Sequence, residues 1–197
     1  MSLLVKKQAP DFTAKAVMGN NTFEDLKLSN YKGKYVVLFF YPLDFTFVCP
    51  TEIIAFNEKL EQFRAKGAEV IGVSVDSEFT HLAWKNTPVN QGGIGNIQYP
   101  LVSDLGGKIS RSYGVFLEEE SLALRGLFLI DKEGIVRHLL INDDGLGRSV
   151  DEALRLLSAL QFTEKHGQVC PANWQEGKDG LEATAKGVAE YLSKVKS

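Results

Sequence analysis

The sequence predicts an α/β fold built on a mixed sheet, and three observations carry that prediction. Two short apolar runs rich in β-branched and aromatic residues, Tyr35 to Phe40 and Val70 to Val75, read as strands buried on both faces. A helix-period segment, Thr51 to Lys66, separates them, and such a strand–helix–strand unit crosses over right-handed with its strands parallel. Further on, Leu127 to Ile130 and Ile135 to Ile141 flank Asp131-Lys132-Glu133-Gly134, a hairpin turn that adds antiparallel strands.

Each element has a local reason. The segment up to about Ser29 is polar and turn-rich and reads as an edge hairpin. Within Thr51 to Lys66, Ile53, Phe56, Leu60 and Phe63 recur at helical spacing, and Gly67 supplies the stop. Glu78 to Asn86 reads as a short helix ended before Pro88. Gln91 to Asn96 is a Gly-rich loop. Ser149-Val150-Asp151-Glu152 is a capping-box signature, and Val150, Leu154, Leu157 and Leu160 follow on one face. After Gly167 the pattern weakens into a tail with Cys170, Trp174 and a last helix around Ala183 to Lys194. The order suits a thioredoxin-like mixed sheet sandwiched by helices, with a C-terminal extension. We divide it into a domain over residues 1–165 and a tail over 166–197.

Composition narrows the function. The 197 residues are 44% hydrophobic and 24% charged, which suits a packed domain and not a disordered chain. With 22 basic against 25 acidic residues there is no cationic excess for a phosphate backbone, so nucleic acid is not the expected partner. The longest apolar run, Tyr35 to Tyr41, is too short to span a membrane. Two cysteines are too few for a disulfide scaffold or an all-cysteine zinc site. The opening MSLLVKKQAP puts its apolar residues before its lysines, the reverse of a signal peptide, so a cytoplasmic location is expected. In a reducing compartment two thiols point to reactive chemistry before they point to a structural bridge.

Cys49 lies between the first buried strand and the following helix, with Pro50 suited to the first helical position. Unpaired N–H groups and the positive end of the helix dipole favour a thiolate there. An inert buried thiol is the competing reading of that position. Activation alone is also insufficient. An ordinary thiol of pKa about 8.5 is about 3% ionised at neutral pH, and full ionisation gains about thirtyfold, or ~2 kcal/mol. Enzymes lower barriers by about 8 kcal/mol or more. A catalyst must also bind its partner and stabilise charge in the transition state.

The neighbours of Cys49 decide between these readings. Pro42, Thr46 and Cys49 fit Pro-x3-Thr-x2-Cys, and the stretch FFYPLDFTFVCPTE from Phe39 to Glu52 closely resembles the peroxidatic-site segment of the typical two-cysteine peroxiredoxins, which include the bacterial alkyl hydroperoxide reductase C proteins. The resemblance implies that Cys49 is the peroxidatic nucleophile. It implies that Thr46 hydrogen-bonds both peroxide and thiolate, and that Pro42 shields the sulfur. It assigns Arg125, in LRGLFLID, to the active-site arginine, whose guanidinium stabilises charge on the sulfur and on the parting oxygens. Without the resemblance, Arg125 reads as a solvated strand-end residue. Arg148 looks like a second arginine that, with Glu52, holds Arg125 in place; a surface cation is the alternative reading.

The segment QFTEKHGQVCPANW resembles the same subfamily's resolving-cysteine region, so Cys170 would condense with the sulfenic acid of Cys49. The resemblance implies that this disulfide joins two subunits, in dimers that assemble to a decamer. It implies reduction of hydrogen peroxide and organic hydroperoxides, recycling by thioredoxin or a dedicated flavoprotein reductase, and no cofactor. Matches at VSVDSEFTHLAWKNTP, GGIGN and Tyr191-Leu192 extend it over nearly the whole chain from Ala9. Ile94 stands where Leu is usual and Leu192 where Phe is usual, in features the family links to slow local unfolding and over-oxidation. Zinc at His166-x3-Cys170 would find two ligands only, since His81 and His138 show no ligand spacing. Two other roles are kept in view. A holdase or signalling role would use Phe45, Phe47, Phe79 and Trp84 as contact residues, although at these spacings ordinary core is the more frequent reading. A protein disulfide oxidoreductase would require a CxxC that the chain lacks.

Overall fold

The computed structural model describes residues 3–195. Its strands are β1 (Thr13–Val17), β2 (Phe23–Lys27), β3 (Tyr35–Phe40), β4 (Ala68–Ser74), β5 (Leu101–Ser103), β6 (Phe116–Leu117), β7 (Leu122–Ala123), β8 (Arg125–Ile130) and β9 (Val136–Asn142). Its α-helices are α1 (Cys49–Glu58), α2 (Leu60–Ala65), α3 (Glu78–Asn86), α4 (Lys108–Tyr113), α5 (Val150–His166) and α6 (Ala185–Val195). Two compact units divide the chain, Met1–Val150 and Asp151–Ser197.

The first unit holds a seven-stranded sheet in the order β2-β1-β5-β4-β3-β8-β9. The crossover read from the sequence is present, since β3 pairs parallel with β4 from Tyr35↔Ala68 to Phe40↔Val73. The hairpin of β8 and β9 adds its antiparallel pair, and β8 runs antiparallel to β3. At the other edge β1 and β2 form the hairpin expected before Ser29. The sheet is therefore mixed and flanked by helices, with α2 against β4 and α3 against β1 and β5.

Every residue of β3 is buried, because both faces of this central strand are covered. Val36, Leu38 and Phe40 enter a cluster with Ile71, Val73, Phe128 and Ile130. On the opposite face Phe39 stacks on Phe56 of α1, with ring centroids 4.6 Å apart, and meets Tyr99 edge-on. Burying such a ring stabilises the fold by about 1.5–3 kcal/mol, so Phe56 fastens α1 to the strand that precedes it.

The structure departs from the sequence reading in three places. The helix expected over Thr51 to Lys66 is interrupted at Lys59, where a tight bond from Gln62 N to the Lys59 carbonyl at 2.9 Å replaces the regular ladder. Strand β5 has too few residues to show a period, and its neighbours β4 and β1 define it. Helix α4 follows Gly107 in the left-handed region, and Asp104 accepts from the Ile109 and Ser110 amides at 2.8 and 2.7 Å.

The second unit begins within α5. A single bridge pairs Val169 with Leu181, and the buried Trp174 ring lies on Phe162 at 4.9 Å. The same Phe162 carries the His166 ring at 4.6 Å.

The Gly-rich loop is tied to α3. Trp84 Nε1 donates to the Gly92 carbonyl at 2.8 Å, and Ile94 N donates to the Trp84 carbonyl at 3.3 Å. Trp84 and Ile94 are buried there, so Trp84 is core and not a surface contact. A Cβ on Gly93 would stand 1.8 Å from the Thr87 carbonyl oxygen, a main-chain atom with no room to yield. Gly93→Ala is expected to cost about 2 kcal/mol or more, read as a lower urea midpoint at constant slope; an unchanged midpoint would contradict this packing.

Candidate active site

The site is built by the ends of three strands. Cys49 is the first residue of α1 and Pro50 the second, so the sulfur sits at the helix N-terminus. The register pairs Phe39 of β3 with Leu127 of β8, which brings Arg125 to the edge where β3 stops. Arg125 in turn pairs with Asn142 at the end of β9, and the following loop delivers Asp144 and Arg148 to the same edge.

Glu52 stands at the centre, one turn beyond Cys49. Its Oε1 accepts from Arg148 N and Arg148 Nε, both at 2.7 Å. Its Oε2 accepts from Arg148 Nη2 at 2.9 Å and from Arg125 Nη1 at 2.7 Å. Arg125 Nη1 also donates to Cys49 Sγ at 3.4 Å, and Arg125 Nε donates to the Asp144 carbonyl at 2.8 Å. Arg148 Nη1 finishes the set on the Phe40 and Gly126 carbonyls at 2.8 and 2.6 Å. Glu52, Arg125 and Arg148 are all buried, and Cys49 is 0% exposed.

Two guanidiniums share one carboxylate, so the cluster carries one positive charge in excess. A thiolate at Cys49 completes neutrality. At 3.4 Å the gross attraction between Arg125 and such an anion is on the order of 5 kcal/mol in a medium of effective dielectric about 20. Burial works to weaken the Arg125 charge, and its contacts with Cys49 and Glu52 outweigh that effect and raise its pKa. Burial likewise pushes the Glu52 carboxyl up, but the hydrogen bonds and charge of Arg148, then the charge of Arg125, bring it below its ordinary value.

The loop between β3 and α1 is held from behind. Tyr41 OH donates to Asp44 Oδ1 at 2.8 Å, and His81 Nδ1 lies 2.7 Å from Asp44 Oδ2. The Asp44 amide donates to Asp76 Oδ2 at 2.8 Å. These bonds anchor a loop in which Phe45 takes a positive φ of 55° and Phe47 is 94% exposed. Pro42 is buried directly after β3. Thr46 departs from its expected double role: its hydroxyl donates to the Leu43 carbonyl at 2.8 Å, which leaves its lone pairs to accept.

The expected residues Cys49, Glu52, Arg125 and Arg148 are thus brought together by direct contacts. Cys170 belongs to the second unit, where its thiol donates to the Ala159 carbonyl at 3.6 Å. Both cysteines are free. Among the described residues no group of three or more His, Cys, Asp and Glu is arranged to hold a metal. The sequence reading missed Asp144, which positions Arg125 through a main-chain carbonyl. No side-chain type advertises that contact.

The AhpC/TSA family profile matches residues 5–139, and the profile of the C-terminal domain of 1-Cys peroxiredoxin matches residues 159–194. Peroxiredoxin-1 of Gallus gallus is 57% identical over 192 residues, covering 98% of this chain and 96% of its own. The reduced Plasmodium vivax 2-Cys peroxiredoxin superposes with a TM-score of 0.95 at 53% identity, covering 98% of this chain and all of that one (100%). Plasmodium yoelii thioredoxin peroxidase I superposes with a TM-score of 0.79 at 59% identity, covering 88% of this chain and 99% of that one.

Replacing Glu52 leaves two buried guanidiniums without their anion. Glu52→Gln is expected to cost about 3–5 kcal/mol at pH 7, measured by urea unfolding. A carboxyl held below its unfolded pKa contributes stability above that value and loses it as the pH falls through its folded value. The gap between parent and variant therefore closes on acidification below about pH 4.3; a gap that stays constant to pH 3 would contradict the assignment.

Proposed function

The chain belongs to the AhpC/TSA family of peroxiredoxins and is a thiol-dependent peroxidase, and from that premise we propose that Cys49 is its peroxidatic nucleophile and Cys170 its resolving thiol. The observation that carries the first assignment is Arg125 Nη1, which donates at once to the Cys49 sulfur and to Glu52.

The chemistry follows from these contacts. The Cys49 thiolate attacks one oxygen of the peroxide. The S–O bond forms as the O–O bond breaks, and the departing oxygen takes a proton to leave as water or an alcohol. Arg125 donates toward the oxygens on which charge grows. Thr46, its own proton given to Leu43, accepts from the peroxide O–H. Pro42 walls the sulfur from bulk water, which favours slender substrates such as hydrogen peroxide and small organic hydroperoxides. Glu52 and Arg148 touch no reacting atom; they fix Arg125 against the sulfur.

The resulting Cys49 sulfenic acid then meets Cys170 of the partner subunit. A disulfide forms and water leaves. The first turn of α1 must open for this, because the Cys49 sulfur has no exposed surface (0%). Thioredoxin or a dedicated flavoprotein reductase then returns both thiols by exchange. We assign residues 1–165 to the peroxidase domain and 166–197 to the tail that supplies Cys170, a functional boundary at the end of α5, whereas the compact units divide at its start. Peroxiredoxins act on peroxides and form oligomers; for this chain a homodimer that assembles to a decamer is supported by exposed Phe45, Phe47 and Phe79, at 51%, 94% and 67%. No helix among the described residues is long and apolar enough to cross a membrane, and the cytoplasm is the proposed location.

Cys49→Ser should abolish peroxide consumption with a thioredoxin reductant, and Arg125→Met should lower kcat/KM by about 10²–10³-fold. After one equivalent of peroxide, a non-reducing gel should show a linked dimer in the parent and none in Cys49→Ser or Cys170→Ser. A fully active Cys49→Ser, or a dimer band that survives Cys170→Ser, would overturn the assignment. Sedimentation of a monomer in both redox states would exclude resolution between subunits.

A further inference from the structure

We propose that Arg155 is a positioning residue for the resolving step, pinning the Cys170 turn to α5 and keeping its guanidinium on that turn as the sulfur attacks. The inference rests on the reading of Cys170 as the resolving thiol and adds a residue to it.

The geometry lies wholly within the second unit. Arg155 forks onto Glu152 one turn earlier, with Nε to Oε2 at 2.6 Å and Nη2 to Oε1 at 2.7 Å. Its remaining Nη1 donates to the Trp174 carbonyl at 2.8 Å. One turn further along the same face, the Ala159 carbonyl accepts from the Cys170 thiol at 3.6 Å. Between these two points the chain makes a tight turn, closed by Trp174 N on the Pro171 carbonyl at 3.2 Å and passing through Asn173 at φ 58°. Both ends of the turn are therefore fixed to consecutive turns of one helix, by the sulfur and by Arg155.

The charges act in opposite senses. Burial pushes the Cys170 thiol up, and the Arg155 charge works against that rise. Glu152 is the first cause of the raised Arg155 pKa, with the charge of Cys170 a further one. The carboxylate thus holds the guanidinium in place and screens part of its field.

The step itself is balanced. Cys170 gives up its proton to solvent, and its thiolate attacks the sulfur of the Cys49 sulfenic acid. The S–S bond forms, the S–O bond breaks, and hydroxide leaves and is protonated to water. No outside electrons are needed. Arg155 favours the thiolate from which the attack starts, and it holds the turn until the partner's helix opens.

Quenched-flow mass analysis of the disulfide across pH 5.5–9.5 tests this, with oxidation of Cys49 followed separately in the same samples. Arg155→Gln should move the midpoint of the resolving rate upward by about half a pH unit, slowing the step about threefold at pH 7, because a half-exposed pair is partly screened. Glu152→Gln should move the midpoint downward by unmasking the guanidinium. Arg155→Lys should keep the parent midpoint. A loss of packing alone would shift both glutamine variants in the same direction or change rates at a fixed midpoint. Either of those results, or no change in either variant, overturns the role of Arg155. A parent protein that forms no Cys49–Cys170 disulfide would sink the underlying reading, and this inference with it.

Discussion

One carboxylate governs the site. Glu52 takes two guanidiniums in a space that excludes water, and its geometry is the condition for everything around it. Because it accepts Arg125 and Arg148 together, neither cation can turn outward without leaving a buried charge exposed to a low dielectric. Arg125 also turns a guanidinium N–H to the sulfur at the start of α1. The sheet serves this arrangement. Antiparallel pairing of β3 with β8 sets Arg125 beside the place where β3 ends, and parallel pairing of β3 with β4 requires a crossover whose helix α1 begins at Cys49.

Strand β3 was legible because Tyr35 to Phe40 is apolar without alternation, and a strand buried on both faces has no other signature. The Cys49–Pro50 step was legible because proline without an N–H is tolerated where the helix has an orphan donor. Less was written in the residues that depend on main-chain partners. Arg148 reads both as a second arginine that holds Arg125 through Glu52 and as a surface cation, and its contacts with Glu52 and the Phe40 and Gly126 carbonyls separate the two. Trp84 reads as core more readily than as a contact residue, and the folded Gly-rich loop buries it against the Gly92 carbonyl. Strand β5 is defined by its neighbours rather than by its own pattern, and the Thr46 hydroxyl is committed by a carbonyl three residues earlier. What escaped the sequence is what main-chain partners and neighbouring strands decide.

The two thiols are kept in contrasting states of readiness. Cys49 is enclosed, at a helix N-terminus, opposite a guanidinium. Cys170 is half-buried, with its S–H spent on a helix carbonyl and a screened cation nearby. The first environment suits a group that must act before its substrate diffuses away. The second suits a group that acts only after a partner's oxidised sulfur has arrived. Both depend on short segments, the turn at 49–52 and the turn at 170–174, that are held by named hydrogen bonds.

Arg125 is tethered through the main chain. Its Nε is held by the carbonyl of Asp144, not by a side chain. The tether itself survives a change of side chain at 144, since every amino acid brings the same carbonyl, although the Asp144 side chain has a character of its own, with a buried oxygen that finds no hydrogen-bond partner among the described residues. The vulnerable property is the path of the loop: a residue inserted or deleted between β9 and α5 would re-aim the guanidinium while leaving each catalytic side chain in the sequence untouched. Among natural variants of this enzyme, changes of loop length there would disarm it more surely than changes of letter.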